Sequence, residues 1–445
     1  MATFCDALVL GAGISGLAAA RALARTGFAP VVLEAAPAPG GTLASASQGG
    51  FLVELGPNTV QDSPALLALA QDAGCAAGLV AAAGARRRYM VHRGRLTALP
   101  SGPPGLLTTP LLSWRAKGRL ATEPWRRRGP GPQESVAAFF RRRLGSETLP
   151  LADAMGLGVY AGDPDELAIG FAFRLAYALE REHGSLLRGL SRGSGGGRRR
   201  PPRLIGFRGG FGALAERLAA GLDLRCGWVA ATVGRQGELF AVLARHGERE
   251  QTFTARRLVV ALPAAATAAV LQPLALASPP ALRAIAEVPH APVAVVALGY
   301  ERRQVLHPLD GFGFLAPHHE GRRILGCLFS STLFPERAPT GSVLLTAMAG
   351  GRRRPQLAEA TDAELVDLVR AELGALLGAR GEPALALVRR WQPGIPQPDA
   401  RWPEVRDAAA TLEHAHPGLT LLGNWLHGVG VPDCARAGWE IERTV

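Results

Sequence analysis

Lysine is almost missing from this sequence: Lys117 is the only one among 49 basic residues, and the rest are arginine. Such arginine and alanine richness follows genome base composition, so the formal net charge of +12 is no argument for nucleic acid. No zinc-finger spacing and no aromatic-rich basic surface accompanies it, and no nucleic-acid partner is expected. Cysteine is also scarce. Cys5, Cys75, Cys226, Cys327 and Cys434 are scattered, odd in number and without a C-x-x-C pair. That reads as a reduced, cytoplasmic protein with no disulfide framework and no metal site. Long apolar runs are lacking too. The longest, 258–277, is broken by Pro263, Thr267, Gln272 and Pro273, which suits a strand, a turn and a short helix better than a membrane span. The first residues carry no basic segment, so no signal peptide is expected. Charged residues are only 19% against 48% hydrophobic, which excludes wholesale disorder. The 55 glycines and 34 prolines show no triplet period, which excludes collagen. A chain of 445 residues has room for two or three domains and a sizeable core.

What is present begins at the N-terminus. LVLGAGISGL, residues 8–17, puts a short apolar strand against Gly11, Gly13 and Gly16. An alanine-rich helix follows and stops at Gly27, and PVVLEA makes a second strand that ends at Glu34. Gly11 permits the tight turn, Gly13 a close approach of backbone to a pyrophosphate, and Gly16 close helix–strand packing. The candidate cradle is therefore Gly11, Ala12, Gly13, Ile14, Ser15 and Gly16, with Glu34 and Ala35 at the ribose end. An acid at Glu34 favours FAD or NAD over NADP. Gly40, Gly41 and Thr42 add a second glycine pair, and GGFLVELGPNT, residues 49–59, reads as a strand closed by a turn.

Further segments carry a resemblance. GVYAGDP (158–164), GFGFLAP (311–317), GIPQ (394–397) and LGNWLHGVGVPDC (422–434) stand in this order. With the N-terminal motif they span almost the whole chain, which resembles the flavin-containing amine oxidase and protoporphyrinogen oxidase superfamily. The resemblance implies an α/β fold: an FAD-binding Rossmann-like domain (1–90, 204–285, 386–445) interleaved with an α+β substrate-binding domain (91–105, 286–385) and a helical insertion (106–203). The apolar strands RLVVALP (257–263) and LTLLG (419–423) suit a return to a buried parallel sheet. Further FAD contacts implied are Gly56, Pro57, Asn58 and Thr59, then Val229 and Trp391, then Val429, Gly430 and Val431. Implied substrate contacts are Gly158, Phe312, Leu315 and Met348. The implied reaction is the six-electron oxidation of protoporphyrinogen IX by FAD, with molecular oxygen as acceptor. Coproporphyrinogen III oxidation, another flavin oxidase activity, or a non-catalytic porphyrin-binding flavoprotein are the alternatives.

Two departures qualify the resemblance. Pro104 falls about where many relatives carry a propionate-binding arginine, which leaves Arg93, Arg95 and Arg174 as candidates. The last helix looks short for the family. No catalytic acid or base is assigned: His427, His318, His319, Asp163 and Asp433 all suit structural roles, Asp163 as a turn or cap residue and Asp433 as a cap near Cys434. SRGSGGGRRRPP (191–202) has linker composition, and the other arginine runs, Arg86–Arg88 among them, read as solvated faces. Peripheral contact with the cytoplasmic face of a membrane is left open, as is the oligomeric state, a homodimer included.

Overall fold

The computed structural model describes residues 2–83, 87–100, 102–192, 203–274 and 278–441. Most of the 191–202 segment and Arg86 lie outside the described residues.

Two seven-stranded sheets organise the chain. In the first, β1 (Thr3–Leu10) is central and parallel to β2 (Pro30–Glu34) on one side and to β13 (Arg249–Val260) on the other. β10 (Asp223–Cys226) lies parallel beyond β2, and β19 (Leu419–Leu421) lies parallel to the end of β13. Both apolar return strands of the sequence therefore join this sheet. β13 begins earlier than expected, because its first half makes an antiparallel flap with β12 (Leu239–His246) and β11 (Val229–Gln236). Leu8, Leu10, Val9 and Val32 are buried, as strands covered on both faces require. The Ile14–Arg25 helix packs on one face through Leu17, Ala18, Ala22 and Leu23. It ends at Arg25 with Thr26 as its cap, and the φ of +90° at Gly27 lets Phe28 N–H reach back to the Leu23 carbonyl.

The second sheet has the order β18 (Leu385–Pro396), β14 (His290–Glu301), β17 (Ser342–Gly350), β16 (Ile324–Phe329), β15 (Gly311–Leu315), β7 (Arg87–His92) and β8 (Arg95–Ala98). All its pairs are antiparallel except β15 with β7. One face is sealed by the Asp362–Leu377 helix, which buries Leu365, Leu368, Val369 and Leu373 against Val296, Leu298 and Phe314. The opposite face meets the hairpin of β3 (Ser45–Gln48) and β4 (Phe51–Glu54), where Phe51 and Val53 bury against Ala297 and Leu344. A small sheet of β5 (Val60–Gln61), β9 (Leu204–Phe207) and β6 (Leu79–Ala81) lies beside the hairpin's exit. Residues 102–192 are helical. They begin at Gly102, so Pro104 sits inside the Gly102–Thr108 helix rather than in a loop. Proline is tolerated in a first helical turn, where its missing N–H would have had no partner.

Candidate active site

The nucleotide end forms where β1 runs out. Gly11 has φ +97°, and its N–H donates to the Leu33 carbonyl at 2.8 Å. A Cβ at Gly11 would lie 2.6 Å from the Ala261 carbonyl oxygen, and one at Gly16 would overlap the Gly11 carbonyl oxygen. The chain's own packing thus demands glycine at both positions. Gly13 differs: its φ of −69° suits any residue, and an added Cβ would meet nothing within 4 Å. The space before Gly13 is kept clear by the fold and filled by no protein atom. The helix that starts at Ile14 points its unpaired first-turn N–H groups and positive end here, with no acidic side chain in that turn. A pyrophosphate fits this cradle.

Glu34 closes it. One carboxylate oxygen accepts from Ala12 N–H at 2.7 Å and the other from Ala36 N–H at 2.8 Å. A carboxylate has about four acceptor positions, so two remain for ribose hydroxyls. Trp228 N–H donates to the Glu34 carbonyl at 2.9 Å and carries Val229, half exposed, to the same end.

The second glycine pair backs the first. Gly40 N–H donates to Ala12 O at 2.8 Å, and a Cβ at Gly41 would stand 3.4 Å from the Gly13 Cα. Thr42 and Gly56 touch through backbone, since a Cβ at Gly56 would overlap the Thr42 carbonyl oxygen. From the C-terminal side, Gly430 caps the Val431–Trp439 helix. A Cβ at Gly438 would overlap the Ser15 carbonyl oxygen, so this helix touches the Ile14–Arg25 helix backbone to backbone. The contact draws Val429, Gly430 and Val431 toward the cradle. Cys434 is buried between the two helices, where desolvation pushes its thiol up to about 12 and keeps it inert. Asp433 is not the cap expected of it: the helix has begun by then, and its carboxylate pairs with Arg436 one turn on, at 3.1 Å.

Three of the four residues expected at the substrate share one face of the second sheet. Val295, Met348, Gly326, Leu315 and Met90 are successive cross-strand partners from β14 to β7, so their side chains share a face. Strict alternation would put Phe312 on the opposite face from Leu315. Gly313, with φ +141°, and a register shift between Gly311 and Phe314 undo that alternation. Phe312 therefore joins Leu315, and the Arg88 guanidinium lies 5.3 Å from its ring centroid. The Leu149–Tyr160 helix comes down on this row, and a Cβ at Gly158 would be 3.3 Å from Leu315 Cδ1. Met155, Gly158 and Val159 are exposed at helical spacing on one side of it. Gly158 lies in the last turn, where a helix leaves its carbonyls unpaired. The Tyr160 carbonyl is taken by Gln397 Nε2 at 2.9 Å, which anchors the GVYAGDP segment to GIPQ.

Trp391 joins the two ends. It packs with Met348, Val293 and Val295, and its indole N–H reaches the Leu55 carbonyl beside Gly56. The Arg389 guanidinium stacks on its ring at 4.6 Å. Asn58 is turned inward: its amide donates to Ser330 Oγ and its Oδ1 accepts from Arg337. Its carbonyl also accepts from Arg337, so only its backbone N–H is left to face a cofactor.

Of the candidate carboxylate partners, Arg93 and Arg95 lie around the far turn of the β7–β8 hairpin, where Arg93 N–H is held by Glu320. Arg174 donates to the His427 carbonyl at 3.2 Å, beside Gly428. Sequence reasoning missed Arg88, Met155 and Val159. Arg88 was hidden in a run that looks like a solvated face, and only its pairing next to β15 separates it from its neighbours. Asp163 is a turn residue as expected: it accepts Asp165 N–H and is bridged by Arg353, which hold it below the usual carboxylate range against the opposing effect of burial. Burial lowers the His427 imidazole. Among the described residues no group of His, Cys, Asp and Glu could hold a metal ion.

Comparison with known proteins decides the family. The model for flavin containing amine oxidoreductases matches residues 14–441. The chain belongs to this family. It is 31% identical to the chloroplastic protoporphyrinogen oxidase of Nicotiana tabacum, over 99% of this chain and 85% of the relative. It is likewise 31% identical to the coproporphyrinogen III oxidase of Propionibacterium freudenreichii, over 97% and 89%. In fold it is similar to a crystal structure from Exiguobacterium sp. 255-15, with TM-score 0.81 and 23% identity over 100% of this chain and 98% of the other. Cyclohexylamine oxidase from Brevibacterium oxydans follows at TM-score 0.71 and 17% identity, over 99% and 98%. As a member of the flavin-containing amine oxidoreductases the chain is an FAD-dependent oxidoreductase. The clear space before Gly13 and the Glu34 carboxylate fit that cofactor's pyrophosphate and ribose.

Proposed function

We propose that this protein oxidises protoporphyrinogen IX to protoporphyrin IX, with molecular oxygen as the final acceptor. The observation that carries the reading is the apolar row Val295–Met348–Gly326–Leu315, closed at one end by Met90 buried against Leu111 and Ala154, with Gly158 over Leu315 and the Arg88 guanidinium on the Phe312 ring, where it has no carboxylate partner among the described residues. A large apolar ring with carboxylate arms matches a slot of that chemistry. Leu315 and Phe312 hold the ring by its faces. The Gly158 carbonyl accepts from pyrrole N–H groups, and Arg88 binds a propionate. FAD, when bound, supplies the acceptor for a hydride from a meso carbon. Aromatisation drives the accompanying loss of a pyrrole proton, so the absence of a poised acid or base on the row is consistent with the chemistry. The cofactor is lined by Gly11 to Gly16, Glu34, Ala35, Gly40, Gly41, Thr42, Gly56 to Thr59, Val229, Trp391 and Val429 to Val431.

The test is a porphyrin fluorescence rise when protoporphyrinogen and air are supplied, together with anaerobic bleaching of the flavin. A flat trace with both intact FAD and fresh substrate overturns the reading. Coproporphyrinogen III is the second reading, favoured by Arg389: this exposed guanidinium beyond Val295 has no carboxylate partner among the described residues, and could meet an additional propionate. Faster bleaching by coproporphyrinogen selects it.

Residues 102–192 support contact with an anionic membrane surface. Trp114 and Trp125 are 75% and 76% exposed, with Leu107, Leu175 and Leu190 also outward. Lys117 lies over the Trp114 ring at 4.5 Å, and the exposed Arg115 follows Trp114 in the chain. Exposed tryptophan beside basic residues suits a lipid interface. No helix of the described residues is long and apolar enough to cross a membrane.

A further inference from the structure

Glu54 and Arg337 are a fully buried ion pair, 2.9 Å apart, with side chains 0% and 1% exposed. They come from the cofactor-side hairpin and from the segment between β16 and β17 of the second sheet. Both terminal nitrogens of the Arg337 guanidinium are occupied. One guanidinium nitrogen of Arg337 donates to Glu54. The other donates to both the Asn58 carbonyl, at 3.0 Å, and Asn58 Oδ1, at 2.7 Å. The Asn58 amide continues to Ser330 Oγ at 3.1 Å, and Ser330 meets Thr346 Oγ1 at 2.8 Å. Glu54 also accepts from Ser45 Oγ and from Phe211 N–H at the start of the Gly210–Ala219 helix. A buried pair is weak evidence of stability in itself, because desolvation offsets its attraction. What it does here is geometric: it fixes the Gly56–Thr59 turn against the second sheet from behind.

We infer that Arg337 is a positioning residue for the flavin, which sets the Gly56–Thr59 turn through Asn58 without touching cofactor or substrate. The inference rests on the proposed placement of FAD against that turn. It follows that cofactor affinity depends on a side chain of the other sheet's connecting segment.

The experiment uses the full chain and measures FAD affinity by quenching of flavin fluorescence, alongside the thermal midpoint of the apoprotein. Arg337→Met leaves a buried carboxylate unpaired, so the midpoint falls and FAD binding weakens at least about tenfold. Glu54→Gln with Arg337→Met removes both charges, so the midpoint recovers, but Asn58 still lacks its guanidinium and FAD stays at least about tenfold weaker. Ser330→Ala takes from the buried Asn58 amide and Thr346 hydroxyl their shared partner; the midpoint falls modestly and the folded protein binds FAD about threefold more weakly. A merely structural role predicts that FAD affinity returns with the midpoint in the double variant and is untouched by Ser330→Ala. Either result overturns the inference. Wild-type protein that takes up no FAD would instead overturn the placement on which it rests.

Discussion

The indole N–H of Trp391 donates to the Leu55 carbonyl at 2.6 Å. One hydrogen bond thus ties the edge strand of the second sheet to the residue preceding Gly56. Trp391→Phe keeps the ring and loses this bond. A bond of this kind contributes about 1 kcal/mol, so FAD should bind roughly fivefold more weakly, as read by flavin fluorescence titration.

Gly13 and Gly16 should separate folding from cofactor binding. A Cβ added at Gly13 meets no protein atom within 4 Å, so Gly13→Val should fold with an unchanged circular-dichroism spectrum yet purify colourless. Gly16→Ala forces the added methyl into the Gly11 carbonyl, and overpacking of this kind costs about 1–3 kcal/mol or more. Its thermal midpoint should fall whether or not FAD is added.

Arg88→Met should raise KM for the porphyrinogen about 10- to 100-fold, the loss of a charge-assisted hydrogen bond worth about 1.5–3 kcal/mol, with kcat little changed. Arg93→Met, at the far turn of the hairpin, should leave both constants alone. Steady-state kinetics on the two variants checks the contrast.

Trp114→Ser with Trp125→Ser should abolish flotation with vesicles containing anionic lipid while activity in detergent is retained. Raised salt should weaken wild-type binding, because the basic residues around Trp114 act through a screened attraction.

His427, His290, His307 and His416 are all lowered, burial being the leading cause in each. Their unfolded counterparts bind protons at a higher pH than the folded forms do. Stability should therefore be complete above about pH 6.5 and decline as pH falls below it toward the lowered folded values. His427 Nδ1 is buried without a hydrogen-bond partner among the described residues, so His427→Gln should lessen this decline. Thermal midpoints between about pH 7.5 and 5 measure it.

The nucleotide end was legible because its signal is local. Gly11, Gly13, Gly16 and Glu34 lie within one strand–helix–strand unit, and Gly16 and Glu34 answer demands met inside it, whereas the Ala261 carbonyl that crowds Gly11 comes from far along the chain. Parallel return of 257–263 and 419–423 was implied by the family resemblance and agreed with by the apolarity of both segments. The far side of the site was not legible. Arg88 faces the slot only because β7 pairs in parallel with β15, more than 200 residues later, and no local pattern marks that pairing. Phe312 shares a face with Leu315 only because Gly313 breaks the alternation, and a glycine in a strand announces a bulge without saying which way it turns the chain. Asn58 was expected at the cofactor; its partner Arg337 is too distant in sequence for its inward turn to be foreseen.

The dispersed origin of the first sheet bears on how the holoprotein comes into being. β19 and the Val431–Trp439 helix complete a scaffold begun by residues 3–34, so the ribosome must have released nearly everything between before the chromophore's berth has all its walls. Loading with prosthetic group is consequently a late event in the life of each molecule, and a nascent chain stalled short of residue 419 should emerge uncoloured.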